Sequence, residues 1–204
     1  MEVLDVISIL STIVFAMGGV FVVSEDGLDV IGAITAGCLT AIGGGTMRDL
    51  LLELPVFWVS DPQLLYVSIA SSVGAFMIVR YLGPPGRFAN RLVLIMDAIG
   101  LSVFTAFGTA KALDFGASDL VAIVMGLLTS VGGGMLRDLC ALRIPFVMQQ
   151  KDLYATPAII GAIPMVLLPY NNLWVWCLAA GLCFVIRVVA IFWDLSLPGF
   201  YRKR

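Results

Sequence analysis

Two copies of a short motif carry the residues whose types and spacing suggest chemistry. Residues 37–50 read GCLTAIGGGTMRDL and residues 126–139 read GLLTSVGGGMLRDL, with nine of fourteen positions identical at a constant offset of 89 residues. Backbone carbonyl oxygens freed at a glycine turn can replace part of the hydration shell of a cation. Thr40 and Thr129 each lie one turn before the first glycine and would add hydroxyl oxygens on the same face. The motif therefore predicts non-covalent binding and passage of a cation.

The glycines allow two interpretations. Each glycine weakens a helix by about 0.8–1.0 kcal/mol relative to alanine, so three in a row predict a half-helix, an unwound turn and a second half-helix. The alternative is that the glycines only let two helices cross closely. Two symmetry-related copies favour a permeation path, and we predict that it is lined by Gly43, Gly44, Gly45, Gly132, Gly133, Gly134, Thr40 and Thr129.

Each glycine run is followed by an adjacent arginine and aspartate, Arg48-Asp49 and Arg137-Asp138. Charges inside apolar segments are costly and usually face the protein interior in pairs. Neighbouring residues on a helix point about 100° apart, so we expect partners across the repeats or at helix ends. The aspartates would lie near the start of the second half-helices, where the dipole favours negative charge, and Thr46 would cap one of them. Snorkelling to the membrane surface is the alternative.

Two further cations stand alone. Lys111 ends the fourth predicted helix, where it is either a gating charge near a mouth of the path or a snorkelling lysine. Arg187 is expected to reach the cytoplasmic headgroups. The sequence contains no histidine, and its four cysteines lack paired metal-ligand spacing. We therefore predict no catalytic residue, no metal beyond transient K⁺, no cofactor and no enzymatic activity.

Composition identifies the elements that must position these residues. Hydrophobic residues form 60% of the 204-residue chain and charged residues 13%, against roughly 45–50% and 25% in soluble domains. The surplus apolar surface must face lipid, and no basic patch suggests a nucleic-acid partner. A spanning helix needs about 20 apolar residues, and seven segments qualify: 4–23, 28–58, 63–82, 92–112, 117–147, 152–169 and 173–193.

The repeat determines the expected architecture. Three helices separate equivalent points, and an odd number turns the second copy over in the membrane, as in inverted-repeat transporters. We predict an all-α integral membrane protein with glycine-broken second and fifth helices. Its parts are a first three-helix repeat (1–82), a cytoplasmic linker (83–91), a second, inverted repeat (92–170), and a seventh helix with a basic cytoplasmic tail (171–204).

The distribution of lysine and arginine predicts the orientation. With the N-terminus outside, eight basic residues fall in cytoplasmic segments and one, Lys111, falls outside. The eight are Arg80, Arg87, Arg91, Arg143, Lys151, Arg202, Lys203 and Arg204. Positive charges favour the cytoplasmic side. We therefore expect a multi-pass protein of the cell membrane with the N-terminus outside and the C-terminus in the cytoplasm.

At the GGG-x-x-R-D motifs the sequence resembles the prokaryotic members of the TRIC family, the trimeric intracellular cation channels, over essentially the whole chain. The resemblance implies a homotrimer in membrane lipid. It also implies a pore inside each protomer among the first, second, fourth and fifth helices, with gating at the glycine kinks. The permeant ion would be K⁺, with Na⁺ weakly distinguished. Lys111 lies on the helix that carries a lysine-containing gating motif in animal members, although the surrounding GTAKALD differs from that motif.

A second function stays open at this point. Bacterial relatives have also been labelled glycine transporters, and half-helix N-termini can bind a substrate carboxylate. A secondary transporter for a small zwitterion such as glycine would show saturable, gradient-coupled uptake, whereas a channel would show unitary currents.

Overall fold

The computed structural model describes residues 3–84, 87–149 and 153–196, and of residues 87–90 and 92 the backbone only. This part of the chain is helical, with short connecting turns. The helices are α1 (Val3–Val22), α2 (Val30–Leu51), α3 (Phe57–Ser60), α4 (Gln63–Leu82), α5 (Arg87–Asp114), α6 (Asp119–Cys140), α7 (Ala155–Leu167) and α8 (Leu173–Phe192), with a 3₁₀ turn at Phe146–Met148.

Six helices in the described ranges are long and apolar enough to cross a membrane, and α7 is a shorter apolar helix. The sequence predicted a full span over 152–169, but α7 has 13 residues. At 1.5 Å per residue it reaches about 20 Å, against about 30 Å of bilayer hydrocarbon. Pro164 lies within it and the backbone becomes extended at Leu168, so the helix ends early.

The glycine runs do not break their helices. Both α2 and α6 are helical through all three glycines, so the predicted unwound turns and half-helices are wrong. The weak propensity of glycine is offset because α2 and α6 pack against each other along the glycine face, and tertiary packing supplies most helix stability in proteins. Both helices also end earlier than predicted, before Glu53 (φ 52°) and Leu142 (φ 54°).

Hydrogen bonds repeat at the same offset of 89 residues. The Leu54 N–H donates to the Asp49 carbonyl at 2.9 Å, and the equivalent Arg143 N–H donates to the Asp138 carbonyl at 2.8 Å. The two helix ends are thus built alike, although residues 54 and 143 differ in type. α1 packs on α2 and α4, and α5 packs in the same way on α6 and α7, while α8 adds to α5 and α7.

The structure changes the predicted boundary of the linker, and parts of the predicted loops and tail fall outside the residues that it describes. α5 begins at Arg87, so part of the predicted linker 83–91 is helical. Residues 85–86, Lys151 and the basic tail with Arg202, Lys203 and Arg204 lie outside the described residues.

Candidate permeation site

Two cavities in the described part of the helix bundle are lined by charged residues of the repeated motifs. The first, named here the Lys111 cavity, has a volume of about 370 Å³. Its wall includes Ser8, Thr12, Ala41, Gly45, Arg48, Phe57, Lys111, Asp114 and Thr129. The second, the Arg187 cavity, has a volume of about 320 Å³. Its wall includes Phe21, Ser24, Glu25, Val93, Asp97, Arg137, Arg143, Phe146, Tyr154 and Arg187, none of which lines the first cavity.

The cavities lie at opposite ends of the same helices. The Lys111 cavity contacts the start of α1 at Leu4 and the end of α5 at Lys111. The Arg187 cavity contacts the end of α1 at Phe21 and the start of α5 at Val93. Arg48 near the end of α2 lines the former, whereas Arg137 near the end of α6 lines the latter. The two glycine helices therefore run in opposite directions.

Between the cavities, α2 and α6 cross with their backbones in contact. A β-carbon on Gly44 would lie 2.0 Å from the Thr129 carbonyl oxygen, and one on Gly133 would lie 2.1 Å from the Thr40 carbonyl oxygen. Both distances are impossible for a real side chain, so only glycine permits this approach. Gly44 and Gly133 therefore fit the interpretation that the glycines let two helices cross closely. The space beside each α-carbon is filled by backbone of the other helix and is not part of a cavity.

The other four glycines divide into two kinds. β-carbons on Gly43 and Gly132 would lie 3.0 Å from Leu136 Cδ1 and 3.1 Å from the Met47 sulfur, so both face side chains of the crossing partner. Gly45 lines the Lys111 cavity beside Phe57. A β-carbon on Gly134 would lie 3.7 Å from Arg137 Nη2 and 3.9 Å from the Tyr154 hydroxyl, two residues of the Arg187 cavity wall.

The two threonines have the same internal bonds and equivalent glycine neighbours, but Thr129 alone of the two is among the residues that line the Lys111 cavity. The hydroxyl of Thr40 donates to the Ala36 carbonyl at 2.7 Å, and that of Thr129 donates to the Met125 carbonyl at 2.6 Å. Thr129 borders the Lys111 cavity. Both threonines also pack against a glycine of the preceding long helix: a β-carbon on Gly19 of α1 would lie 2.3 Å from the Thr40 hydroxyl oxygen, and one on Gly108 of α5 would lie 2.4 Å from that of Thr129.

Each aspartate of the repeated motif binds the arginine beside it, which corrects the expectation that neighbours would not pair. Arg48 Nε lies 2.8 Å from Asp49 Oδ1, and Arg137 Nε lies 2.8 Å from Asp138 Oδ1. The arginine side chain is long and flexible, so its guanidinium reaches the adjacent carboxylate even though the two side chains leave the helix in different directions. All four side chains are at most 7% exposed, so none snorkels to the surface.

The aspartates lie near the ends of α2 and α6, not near the start of a helix. Negative charge at a helix C-terminus is unfavourable, and each carboxylate is stabilised by a second donor from the following loop. Asp49 Oδ2 accepts from the Phe57 N–H and Asp138 Oδ2 from the Phe146 N–H, both at 3.0 Å. Each aspartate thus ties a helix end to the loop that follows it.

Thr46 does not cap a helix. Its hydroxyl donates to the Ile42 carbonyl at 2.7 Å and accepts the indole N–H of Trp58 at 2.8 Å. It therefore holds α3 against α2, a role for which Met135 at the equivalent position has no polar atom.

Lys111 joins the two repeats. Its ammonium lies 2.9 Å from Asp49 Oδ1 and 3.1 Å from Oδ2, and 6.0 Å from the centre of the Phe57 ring. The lysine side chain is 35% exposed, so the group faces the cavity while bound. At the other end of the bundle, Arg143 also reaches the first repeat, donating to the Val22 carbonyl at 2.9 Å and pairing with Asp26.

Arg187 is fully buried, so the expectation that it reaches the headgroups is wrong. Its Nη1 donates to the Leu153 carbonyl at 2.9 Å, and its guanidinium carbon lies 4.6 Å from the centre of the Tyr154 ring. The Tyr154 hydroxyl donates to Asp97 Oδ1 at 2.8 Å. The sequence analysis did not predict the group formed by Arg187, Tyr154 and Asp97. A buried arginine in an apolar helix with an aspartate in another was the available signal.

The arrangement presents charged and hydroxyl groups at the walls of two cavities. In the described ranges, no three His, Cys, Asp or Glu residues lie together as a metal site. What the geometry offers is two charged cavities at opposite ends of a bundle, separated by a contact between glycines.

Comparison with known proteins gives consistent results. A family model described as "Glycine transporter" matches residues 5–80 and 94–170. The UPF0126 inner membrane protein YadS of Escherichia coli is 38% identical over 199 residues, which is 95% of this chain and 94% of that protein. The UPF0126 membrane protein YvgT of Bacillus subtilis is 30% identical, covering 96% and 95%.

Solved structures share the whole fold. The TRIC trimeric intracellular cation channel orthologue from Rhodobacter sphaeroides superposes with a TM-score of 0.84 at 30% identity, covering 96% of this chain and 100% of that one. A second TRIC cation channel reaches a TM-score of 0.86 at 25% identity with complete coverage of both chains.

Proposed function

Since the chain belongs to the family of UPF0126 membrane proteins and prokaryotic TRIC channels, we propose that it is a cation channel with a pore inside each protomer. The observation that carries this proposal is the pair of cavities at opposite ends of α1 and α5. Together they leave a short barrier, the contact between α2 and α6. A path through the bundle then needs only a small separation at that contact.

The barrier is proposed as the gate. Gly44 and Gly133 allow the two backbones to touch, so at these two positions backbone meets backbone, while Leu136 and Met47 pack against the neighbouring Gly43 and Gly132. A small rotation of α2 against α6 would expose backbone and threonine hydroxyl oxygens to the path. The pore-lining candidates best supported by position are Gly45 and Thr129, which line the Lys111 cavity, and Gly134, which adjoins Arg137 and Tyr154 of the Arg187 cavity wall.

We assign K⁺ as the main permeant ion, with weak discrimination against Na⁺. Glycine backbones and a few hydroxyls give oxygen ligands without the rigid ring of carbonyls that narrow selectivity filters use. The two positive charges at the Lys111 cavity, on Arg48 and Lys111, are balanced by Asp49, which pairs with both, and by Asp114 of the cavity wall. They would therefore admit a monovalent cation without holding it tightly.

The assembly and orientation are proposals of the same kind. The matched structures include a trimeric intracellular cation channel, and we propose a homotrimer in membrane lipid. A relative is an inner membrane protein. We propose the same location here, with the N-terminus and the Lys111 cavity outside and the Arg187 cavity towards the cytoplasm.

Single-channel recording of the purified protein in a planar bilayer with a KCl gradient tests this function. We expect discrete current steps that reverse near the K⁺ equilibrium potential. Gly45→Val should reduce the step size by narrowing the Lys111 cavity, whereas Gly74→Val, at an exposed position of α4 with open space around it, should not. Steps that reverse at the Cl⁻ potential would contradict the proposal.

Glycine transport is the second candidate, favoured by the description of the matching family. Liposomes that contain the protein distinguish the two. Saturable accumulation of radiolabelled glycine against its gradient, together with a silent bilayer, would replace the channel by a transporter.

A further inference from the structure

Two phenylalanines of α1 and α5 stack on each other in the middle of the bundle. The ring centres of Phe15 and Phe104 lie 5.1 Å apart, and the ring planes are tilted by 47°. The two residues are 89 positions apart in the chain, which is the offset of the internal repeat. A contact between a residue and its own equivalent lies on the pseudo-two-fold axis that relates the repeats. The stacked rings therefore lie on that axis.

The glycine crossing lies on the same axis. Gly44 and Gly133 are also 89 positions apart, and a β-carbon on Gly44 would lie 3.2 Å from the Gly133 nitrogen. The axis of an inverted repeat runs in the plane of the membrane, so contacts on it share one depth. The two contacts also pack together, because Phe15 shares a buried cluster with Ile42, the residue before the first glycine run, and Phe104 packs against that cluster. The rings are therefore at the level of the barrier.

The order of residues along each helix gives the same position for the rings. On α1, Thr12 lines the Lys111 cavity, and Phe15, one turn further on, lines neither cavity. On α5, Asp97 lines the Arg187 cavity, and Phe104, two turns further on, is the first residue of that helix that lines the Lys111 cavity. Phe104 is thus the part of the cavity wall on α5 that lies nearest the barrier.

The two rings differ in their freedom to move. Phe15 is 3% exposed, and its ring lies against Gly100, where a β-carbon would come within 2.0 Å of two ring atoms. The equivalent of Gly100 in the first repeat is Ser11, which has a β-carbon, so Phe104 cannot pack on α1 in the same way. Phe104 is half-buried and borders the cavity. It is therefore the ring that has space to turn.

We propose that Phe15 and Phe104 form an apolar gate, which is the second half of the barrier beside the contact of α2 with α6. The gate rests on the proposed function, since it concerns the same path. Apolar constrictions stop ions by excluding water. Phe104 opens the gate by turning into the Lys111 cavity, and water then reaches the backbone oxygens of the glycine crossing. Phe15 is the fixed wall against which it closes.

Two substitutions of nearly equal volume separate the polarity of the constriction from its size. Phe104→Gln places a polar side chain there and should admit water, whereas Phe104→Met keeps the constriction apolar. In single-channel recordings we expect Phe104→Gln to raise the open probability at least fivefold over the wild type, and Phe104→Met to change it less than twofold. Phe104→Ala, which removes the ring, replaces Phe104→Gln in this comparison if that variant does not fold. Equal open probabilities in the polar and apolar variants would overturn the proposal.

Phe107→Gln is the matched control. Phe107 lies on the same helix and lines the same cavity, but its ring pairs with Trp176 of α8, at 5.0 Å between ring centres. We expect this variant to open as often as the wild type does. If it opened as often as Phe104→Gln, any loss of apolar surface in the cavity would have the same effect, and the assignment of the gate to Phe104 would be wrong.

A measurement without current distinguishes failure of the gate from failure of the proposed function. In a protein whose four cysteines are replaced by alanine, Ser11→Cys places one thiol beside the constriction, at a residue that is 3% exposed. A small, water-soluble methanethiosulfonate should modify this thiol at least fivefold faster with Phe104→Gln than with Phe104→Met. If the wild type carries no current, this difference would still support the gate, and only the channel would be refuted. Equal rates would overturn the gate whether or not the protein conducts.

Discussion

The ammonium of Lys111 lies 2.9 Å from the carboxylate of Asp49, and this ion pair connects α5 of the second repeat to α2 of the first. Asp49 also binds Arg48 and the Phe57 N–H, so one buried carboxylate receives three donors. Both cationic partners line the cavity, but the lysine side chain is 35% exposed and that of Arg48 only 7%. The lysine is therefore the member that can leave without exposing an unpaired acid.

The first prediction concerns this lysine. Lys111→Gln should raise the K⁺ step size severalfold, because it removes a positive charge from the cavity wall while Asp49 keeps its other two donors. The stability cost should stay near or below about 1 kcal/mol, since the lysine is partly exposed. Lys111→Arg keeps the charge and serves as the control. Single-channel recording measures the effect, and equal conductance in the two variants would contradict it.

The second prediction concerns the helix crossing. Gly44→Ala places a methyl group 2.0 Å from the Thr129 carbonyl oxygen, so the two backbones must separate. Overpacking of this kind costs about 1–3 kcal/mol or more, and the thermal unfolding temperature should fall clearly. Gly18→Ala is the control, because no atom lies within 4 Å of the added carbon. A stable Gly44→Ala protein would refute the close packing of α2 and α6.

The third prediction concerns the buried pair of the second repeat. Asp138→Asn leaves the Arg137 side chain, 4% exposed, without its counter-charge. Loss of one member of a buried ion pair typically costs about 3–5 kcal/mol. Asp61→Asn changes an exposed aspartate that accepts one local backbone bond, from Gln63 at 3.1 Å, and should have a small effect. Similar unfolding temperatures for the two variants would argue against a structural role for the pair.

The fourth prediction concerns pH. Tyr170, in the loop between α7 and α8, donates its hydroxyl to Asp114 at 3.0 Å, and this bond raises the pKa of the phenol above its usual value of 10.0. A folded-state pKa above the unfolded value stabilises the protein below pH 10, and the gain is lost as pH rises through the raised pKa. Tyr170→Phe should therefore lower the unfolding temperature slightly at pH 7 and not at strongly alkaline pH. A difference that persisted there would exclude this bond as the cause.

Six of the seven predicted spans correspond to helices long and apolar enough to cross a membrane, because lipid imposes a simple rule on length and composition. The repeat was equally visible, and the equivalence of Asp49 with Asp138 extends to their bonds with Phe57 and Phe146. The low helix propensity of glycine led to a wrong prediction for α2 and α6, where packing between the helices determines the structure. Three glycines looked like a break, but at a helix crossing they provide the contact that keeps both helices intact.

The candidate site was harder to predict because it is formed by residues of several helices, and sequence spacing alone does not show which of these residues come into contact. Arg48 and Asp49 looked unable to pair when only their directions on the helix were considered, and the flexibility of arginine removes that restriction. Arg187 and Asp97 are 90 residues apart in sequence. Their common neighbour Tyr154 lies just before a helix whose shortness the sequence did not reveal.

The glycine crossing has an electrical consequence. Solvent in the two cavities approaches the contact of α2 and α6 from opposite ends of the bundle, so the resistance of the path is concentrated there. Most of a membrane voltage would then fall across this thin layer, at about 2.3 kcal/mol per elementary charge for each 100 mV. Lys111 and Arg137 line the cavities on its two sides, so either charge would couple strongly to the voltage only by moving into the contact itself.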